Sequence, residues 1–220
     1  QTDGLSVNDL FESAVYQFLP TDGLGVGDGE IASTWMDVLS NIEASAVGSP
    51  TFRSNQAGFP VVDYTGGNHS HEFEHDGQIS TGSADEWSAF VLFYYPEDTG
   101  SHNALLGVGS SALYLQNGSS YAWNSYDGVR GSRGGSPQIG AWDTAGVVYN
   151  AGDFEVYGGG DSTPVASNTG QSVTLSNDWA IGKRPGSGNW HLDGYIGEVV
   201  VSKSIESGQA YADWHSARLF

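Results

Sequence analysis

The 220-residue sequence contains no cysteine and few basic residues. Without cysteine there is no disulfide framework, so cysteine usage gives no indication of a redox compartment. Lysine and arginine together number 7, against 26 aspartate and glutamate residues, which leaves a formal net charge of −19. Because nucleic acids and anionic membrane surfaces attract basic patches, both are poor partners for this chain. No apolar run approaches the ~18–20 residues that a membrane-spanning helix requires, and we expect no membrane insertion.

The few basic residues are mostly arginine, since only Lys183 and Lys203 are lysines. An acidic, lysine-poor surface stays hydrated where salt screens charge over a few ångströms. We interpret this composition as adaptation to a high-salt environment, with an ordinary acidic extracellular domain as the alternative. The chain begins at Gln1 rather than Met and has no signal-like apolar stretch, so we expect a processed product or an excised segment.

Glycine and aromatic residues are abundant, with 32 glycines, 7 tryptophans and 11 tyrosines. The glycines separate short runs rich in valine, isoleucine and aromatic residues, which is typical of a β-sandwich or barrel. Nine runs predict strands at residues 59–64, 86–95, 104–108, 112–116, 120–126, 142–150, 153–157, 179–183 and 194–202. The Asn150-Ala-Gly152 stretch predicts a hairpin turn. Helix is predicted only at residues 8–18, which Pro20 follows, and at residues 207–219.

The C-terminal half carries an ordered series of motifs. These are Asp153-Phe-Glu-Val-Tyr-Gly158, Trp179-Ala-Ile-Gly182 and Leu192-Asp-Gly-Tyr-Ile-Gly-Glu-Val-Val-Val201, followed by the terminal helix. The series resembles the laminin-G-like branch of the concanavalin A-like jelly rolls, the lectin and glucanase superfamily. The resemblance implies an antiparallel jelly-roll sandwich with one or two short peripheral helices. Gly140–Tyr149 fits the preceding strand of that family, and Trp35–Ser40 and Phe59–Gly66 fit its N-terminal half more loosely, so the resemblance covers residues 31–220. We expect residues 1–30 to form an N-terminal segment with a short helix, packed on the sandwich or leading into it.

Residues 69–76 are the most suggestive stretch for chemistry, because histidines and acids alternate along them. As a strand, this stretch would place Glu72, Glu74 and Asp76 on one face and His69, His71, Phe73 and His75 on the other. The acids resemble the E-x-D-x-x-E arrangement of laminarinase-type glycoside hydrolases, where paired carboxyl groups serve as nucleophile and general acid. The middle acid here is glutamate and the third comes one residue early. A solvated acidic strand is therefore favoured over a catalytic one.

The sequence offers candidate ligands for two kinds of metal site. The histidines of this strand could ligate a transition metal through neutral imidazole. Calcium is the more natural ion for the resembled family, and loops supply hard oxygen ligands at Asp22, Asp28, Asp98, Asp127, Asp161 and Asp193. The candidate metal ligands are His69, His71, His75, Asp98 and Asp127. Calcium is the one cofactor that we predict from the resemblance.

Glycan recognition needs an aromatic platform beside polar groups, since sugar rings present apolar C–H faces ringed by hydroxyls. The Gly/Ser-rich stretch from residue 120 to 135 and the residues after the turn at 185–188 offer this combination. The candidate glycan-binding residues are Tyr121, Trp123, Tyr126, Asp127, Arg130, Trp190 and His191. For Tyr121 and Trp123, packing within the sheet is the competing interpretation, and for Trp142, Tyr157 and Trp179 packing in the core or the sheet is what we expect.

These patterns predict a non-catalytic recognition or structural module, outside the cell, that binds glycans or a host-surface protein. The acidic surface favours a halophilic organism or a virus infecting one, in which the chain would be a virion attachment or decoration protein with homo-oligomer or assembly partners. The alternative is a glycoside hydrolase or polysaccharide lyase that uses the acids of residues 72–76. A purely architectural subunit is a third hypothesis. Nucleophile-elbow, zinc-protease and Walker motifs are missing.

Overall fold

The computed structural model describes residues 11, 14–23, 25–74, 86–97, 102–109, 111–116, 119–124, 133–170, 178–185 and 190–220. The strands are β1 (Ala14–Phe18), β2 (Thr34–Met36), β3 (Glu43–Val47), β4 (Thr51–Gln56), β5 (Phe59–Asp63), β6 (Ser70–Glu74), β7 (Glu86–Tyr94), β8 (His102–Val108), β9 (Ser111–Gln116), β10 (Ser120–Asn124), β11 (Arg133–Gly134), β12 (Trp142–Asn150), β13 (Asp153–Gly158), β14 (Ala166–Asn168), β15 (Asp178–Ile181) and β16 (Tyr195–Ser202). The helices are α1 (Pro20–Gly23) and α2 (Gly208–Leu219). No helix within these described ranges is long and apolar enough to cross a membrane.

The strands form two antiparallel sheets that face each other. The first sheet has the order β14-β13-β12-β7-β16-β5-β4, and the second has the order β11-β10-β9-β8-β15-β6-β3-β2. Two strands pair with the same edge of β16: β5 pairs with residues 195–196, and β1 pairs with residues 199–202. The predicted all-β antiparallel sandwich is confirmed.

The core forms between the sheets because large apolar residues alternate along the strands. On β12, for example, Val147 and Tyr149 point inward, whereas Val148 between them packs on the opposite side of the sheet. Indole rings span the interior, with Trp87 of the first sheet 5.6 Å from both Trp123 and Trp179 of the second (ring centroids). The indoles thus tie the two sheets together through one continuous core.

Several local predictions are confirmed. All nine predicted strands are present within a few residues of their expected bounds. Residues 150–153 form the hairpin turn, in which Ala151 and Gly152 have positive φ angles of 46° and 103°. The spacing of three between the apolar residues Ile196 and Val199 breaks strict alternation and predicts a β-bulge, and the register of β16 does shift between Ile196 and Glu198. Trp179 and Tyr157 are buried as expected, but Trp142 is half-buried at the surface.

The predicted N-terminal helix is wrong where it overlaps the described residues. Residues 14–18 form β1, with Tyr16 and Phe18 in the core at a spacing of two. The apolar residues of this segment fit both a helical and an alternating pattern, and pairing with β16 selects the strand because it also satisfies the backbone hydrogen-bonding groups. Residues 14–18 therefore belong to the sandwich itself.

The predicted C-terminal helix is confirmed as α2, which lies on the outer face of the first sheet. The Ser207 side-chain oxygen accepts a hydrogen bond from the backbone N–H of Ala210 at 3.1 Å and caps the helix. Tyr211 and Trp214 are buried against Phe90 of β7, at ring-centroid distances of 5.5 and 5.9 Å. The helix thereby seals this part of the sheet from water.

Candidate functional site

Strand β6 alternates as its sequence predicts. Glu72 is half-buried and Glu74 is exposed on the outer face of the second sheet, whereas His71 and Phe73 are buried on the inner face. Asp76 and His75 lie outside the described residues. The described acids and the His71 imidazole thus lie in different environments.

His71 does not fit the predicted metal site. Its Nε2–H donates to the backbone carbonyl of Ala32 at 2.7 Å, and its Nδ1 accepts from the Tyr64 hydroxyl at 2.8 Å. Burial lowers the pKa of His71 from 6.5 to about 4, because a charged imidazolium is poorly solvated there. Both ring nitrogens are occupied, so this neutral histidine is a satisfied core residue.

Among the residues that the structure describes, the other proposed metal ligands do not converge. The Nδ1 of His69 accepts from the Ser49 backbone N–H at 3.0 Å. Asp28, Asp161 and Asp193 accept hydrogen bonds from the backbone N–H groups of Ser54, Thr163 and Gly66, in three different loops. In the part of the chain that the structure describes, no group of three or more His, Asp or Glu residues could hold a metal ion. Asp98, Asp127 and the side chain of Asp22 lie outside that part.

Tyr121 and Trp123 of β10 lie in the core, out of reach of a glycan. The Tyr121 hydroxyl donates to the Asp143 carboxylate, and burial raises the pKa of Tyr121. Trp123 is fully buried and packs on Phe154 with ring centroids 5.3 Å apart. The competing interpretation, packing within the sandwich, therefore holds for both residues. Tyr126, Asp127 and Arg130 lie outside the described residues.

Two short segments, residues 182–185 and 190–192, pair with each other and lie across the outer face of the second sheet; we call this pair the hairpin. The Leu192 N–H donates to the Gly182 carbonyl at 2.8 Å, and the Arg184 N–H donates to the Trp190 carbonyl at 3.0 Å. The hairpin presses on Gly107 of β8, where a Cβ atom would clash with Pro185 Cδ and the Lys183 carbonyl. A side chain larger than hydrogen at residue 107 would lift the hairpin from the sheet.

A cluster of aromatic and cationic side chains lies on one side of this hairpin, and we call it the hairpin patch. It consists of Arg184 and Trp190 of the hairpin, His102 of β8 and Tyr114 of β9. The Trp190 ring centroid lies 4.5 Å from that of His102 and 4.8 Å from that of Tyr114. The Arg184 guanidinium carbon lies 4.7 Å from the same indole centroid, a cation–π distance. Trp190 and His102 are half-buried, so part of the cluster faces solvent.

The floor beneath the hairpin patch is built from small residues. Ala104, Ala112 and Ala122 occupy the outer positions of three neighbouring strands, and Trp190 packs against them. Trp190 and the half-buried His191 next to it were predicted as glycan-binding residues because they follow a glycine-containing turn. It did not predict His102, Tyr114 or Arg184, because these come from three separate segments and only strand pairing brings them together.

The opposite side of the hairpin borders an open, acidic cleft of about 340 Å³. Its lining residues are Glu43, Ser45, Glu72, Phe73, Glu74, Asp178, Trp179 and Pro185. Lys183 of the hairpin forms an ion pair with Glu72 (Nζ–Oε1 3.2 Å), and Asp178 stands directly opposite Glu74 in the strand register. Phe73 and Trp179 are buried in the core, so the rings of both aromatic lining residues pack inward rather than toward a ligand.

No protein-family model matches the sequence, and no match is found among the curated proteins. Solved structures do resemble the fold. Trypanosoma rangeli sialidase in complex with sialic acid has a TM-score of 0.69 at 13% identity, over 94% of this chain and 33% of that one. The binding domain of Paraclostridial mosquitocidal protein 1 has a TM-score of 0.64 at 11% identity, over 94% of this chain and 52% of that one.

A structure of botulinum neurotoxin type C, whose cell entry depends on interaction with two ganglioside molecules, has a TM-score of 0.70 at 9% identity, over 98% of this chain and 53% of that one. The chain thus spans one third to about one half of the length of these neighbours. At such low identities the likeness concerns the fold alone. What it establishes is that this chain folds as an all-β sandwich also found in a sialidase and in clostridial toxins.

Proposed function

We propose that this chain is a non-catalytic glycan-recognition module of the concanavalin A/laminin-G type that its motif series resembles. The observation that carries the proposal is the Trp190 indole, held half-exposed among an imidazole, a phenol and a guanidinium. Such a group offers an apolar surface for the C–H face of a sugar and hydrogen-bonding atoms for its hydroxyls. Because the neighbours fix the ring in place, little side-chain entropy is lost when a ligand binds.

Two structural neighbours support carbohydrate as the ligand class by analogy of fold. One is a sialidase in complex with sialic acid, and the other is a neurotoxin whose cell entry depends on ganglioside molecules. A shared fold hosts unrelated functions, so the weight of the proposal rests on the hairpin patch.

The excess of acidic residues also supports a proposal about the medium in which the protein is found. With 26 acidic and 7 basic residues, the chain repels copies of itself at low ionic strength and stays hydrated in concentrated salt. We place the module outside the cell or on a virion, in a salty medium, with a glycan or a host-surface protein as its partner.

Catalysis is the second candidate, because Glu72 and Glu74 line an open cleft. We favour the non-catalytic function, since Glu72 is neutralised by Lys183 and the aromatic residues of the cleft are buried in the core. If the cleft is catalytic, the wild type will release reducing ends from a polysaccharide and Glu74→Gln will not. Loss of that activity in Glu74→Gln would overturn the non-catalytic proposal.

The test of the proposed function is a glycan array in molar salt, with and without a chelator. We expect wild-type protein to be retained on a subset of glycans and Trp190→Ala to bind them at least tenfold more weakly. Phe220→Ala is a matched control, because this aromatic residue is 90% exposed at the end of the chain, outside the patch. Equal retention of wild type and Trp190→Ala would overturn the assignment, and a loss caused by the chelator would indicate bound calcium.

A further inference from the structure

A second group of half-buried aromatic residues lies on the outer face of the first sheet, which is the other side of the molecule. This aromatic row consists of Phe59, Tyr94, Trp142 and Tyr195. Trp142, Tyr94 and Tyr195 stand opposite one another on three adjacent strands. The ring centroids are separated by 4.7 Å (Phe59–Trp142), 5.6 Å (Tyr94–Trp142) and 5.9 Å (Tyr94–Tyr195). Phe59 and Trp142 pack against the apolar cluster under α2, and Tyr94 and Tyr195 continue the row beyond it.

The central indole of the row is held against the sheet. Trp142 lies over Gly197, where an added Cβ would come within 3.2 Å of its Cζ3 atom and of Leu92 Cδ2. Its Nε1–H donates to the backbone carbonyl of Ala57 at 3.1 Å, in the turn between β4 and β5. The bulge of β16 at Gly197 therefore makes room for a flat ring that is anchored at its polar edge.

The row ends in polar groups. Asp63 stands opposite Tyr195 in register, and Thr51 stands opposite Asp63. The Asp63 carboxylate accepts hydrogen bonds from Arg53 Nε at 3.1 Å and from the backbone N–H of Thr65 at 2.9 Å. The Arg53 side chain is 47% exposed whereas that of Asp63 is only 8% exposed, so a ligand lying on the rings would reach a guanidinium that the buried carboxylate holds at the end of the row.

The net charge of the chain indicates which class of ligand this surface can bind. A net charge of −19 disfavours a polyanionic ligand, and it disfavours a second copy of the chain at ionic strengths where the charges are not screened. An uncharged sugar chain is not repelled, and it matches apolar ring surfaces flanked by polar groups. We infer that the aromatic row is a second carbohydrate-binding surface, for a neutral oligosaccharide or polysaccharide, on the sheet opposite the hairpin patch.

Two surfaces on opposite sheets would let one chain hold two sugar chains at once. This inference takes its ligand class from the proposed function but rests on separate residues. Its failure can therefore be told apart from failure of the hairpin patch.

Titration calorimetry with neutral oligosaccharides that the array identifies tests the inference. We expect about two ligands per wild-type chain and about one for Trp142→Ala, with circular dichroism showing that the variant is folded. Trp190→Ala should retain the aromatic-row site, Trp142→Ala/Trp190→Ala should bind none, and Phe220→Ala should match the wild type. Tyr195→Ala gives a second test at the other end of the row, with an expected loss of at least fivefold in affinity at one site.

Each contrary result has a distinct meaning. Unchanged stoichiometry and affinity in both Trp142→Ala and Tyr195→Ala would overturn the second site and leave the proposed function standing. Binding only of anionic glycans, lost in Trp190→Ala, would do the same. Binding that is lost in Trp142→Ala and kept in Trp190→Ala would instead overturn the hairpin patch and support the aromatic row. Capture of a protein ligand through Trp142, without sugar binding, would overturn the inference.

Discussion

The two sheets of this protein differ in what lies on their outer faces. On the first sheet the outward residues near the centre are large and apolar, and α2 covers them. They are Phe90, Leu92, Val148 and Val200. On the second sheet most of the corresponding residues are small, and the hairpin crosses them while leaving a patch and a cleft beside it. They are Ala104, Ala112, Ala122, Ala180 and Gly107.

The difference shows how side-chain size divides structure from function here. Removing a Phe or Leu side chain from water stabilises a fold by about 1.5–3 kcal/mol, so the large outward residues of the first sheet favour docking of a helix. A methyl group contributes far less, so the small outward residues of the second sheet favour no such docking, and the hairpin with its patch and cleft occupies this face instead. Only the Trp142 end of the first sheet departs from this rule, and there the aromatic row is half-exposed.

The largest expected effect compares one tryptophan from each outer face. Trp214→Ala removes a fully buried ring from under α2 and should lower the free energy of unfolding by roughly 3–5 kcal/mol. Trp190→Ala removes a half-buried ring and should cost only about 1–2 kcal/mol. Urea unfolding followed by circular dichroism measures both. Equal losses would mean that the hairpin is as essential to the fold as the helix.

The second prediction concerns the inner side of β6, where His71 is buried, in contrast to Glu72 and Glu74 on the outer side. Unfolded His71 binds a proton near pH 6.5, whereas the folded form binds one only near pH 4. Between these values the unfolded state holds more protons, so stability falls as the pH is lowered from 6.5 to 4, by about 3 kcal/mol in total. The difference in unfolding free energy between wild type and His71→Leu should show this loss and be constant above pH 7. A difference that stays constant from pH 7 to 4 would contradict the neutral, buried imidazole.

The third prediction compares two ion pairs. Arg218 of α2 contacts Glu198 at 2.6 Å, and the Glu198 side chain is 2% exposed, whereas the Glu72 side chain that binds Lys183 is 42% exposed. Arg218→Met leaves the buried Glu198 carboxylate with the Gln17 Nε2–H donor at 2.7 Å but without its charged partner, and should cost about 2–3 kcal/mol. Lys183→Met should cost less than about 1 kcal/mol. Arg218→Met/Glu198→Gln should recover part of the loss in urea unfolding, and no recovery would show that Arg218 acts through packing alone.

The smallest effect concerns the acidic cleft and salt. Asp178 faces Glu74 across the strands, so Glu74→Gln should raise the unfolding free energy at low salt by about 0.2–1 kcal/mol. Molar salt should abolish this gain, because screening then acts within a few ångströms. Glu86→Gln is the control, since Glu86 is exposed on the first sheet and stands opposite the uncharged Asn150. An equal gain for both variants would indicate general charge repulsion rather than the cleft.

Local patterns predicted much of the fold. Glycine-bounded apolar runs placed nine strands, and the Asn150–Gly152 turn and the capped C-terminal helix were predicted from short segments. The short polar strands β2, β3, β4, β11 and β14 were missed, because their residues carry no clear alternation of apolar and polar positions. They form because neighbouring strands offer backbone partners.

The candidate sites were predicted less well, and the reasons are specific. Alternation put Tyr121 and Trp123 on one face but did not say which face of the strand points inward. It likewise separated His71 from Glu72 without showing that Tyr64 and Ala32 would occupy both ring nitrogens. Trp142 was expected in the core, and the bulge at Gly197 instead gives it a place on the surface.

The sequence by itself determined the all-β class, the acidic surface and the position of most strands, because propensity, periodicity and charge act over a few residues. Only the tertiary structure decided which aromatic residues are buried and which are half-exposed. That outcome depends on strand register and on the elements that cover each sheet, and both bring together residues far apart in the chain. Trp123 and Trp190 show the difference: each adjoins a Gly/Ser-rich stretch, yet one is buried between the sheets and the other lies on the surface of a hairpin.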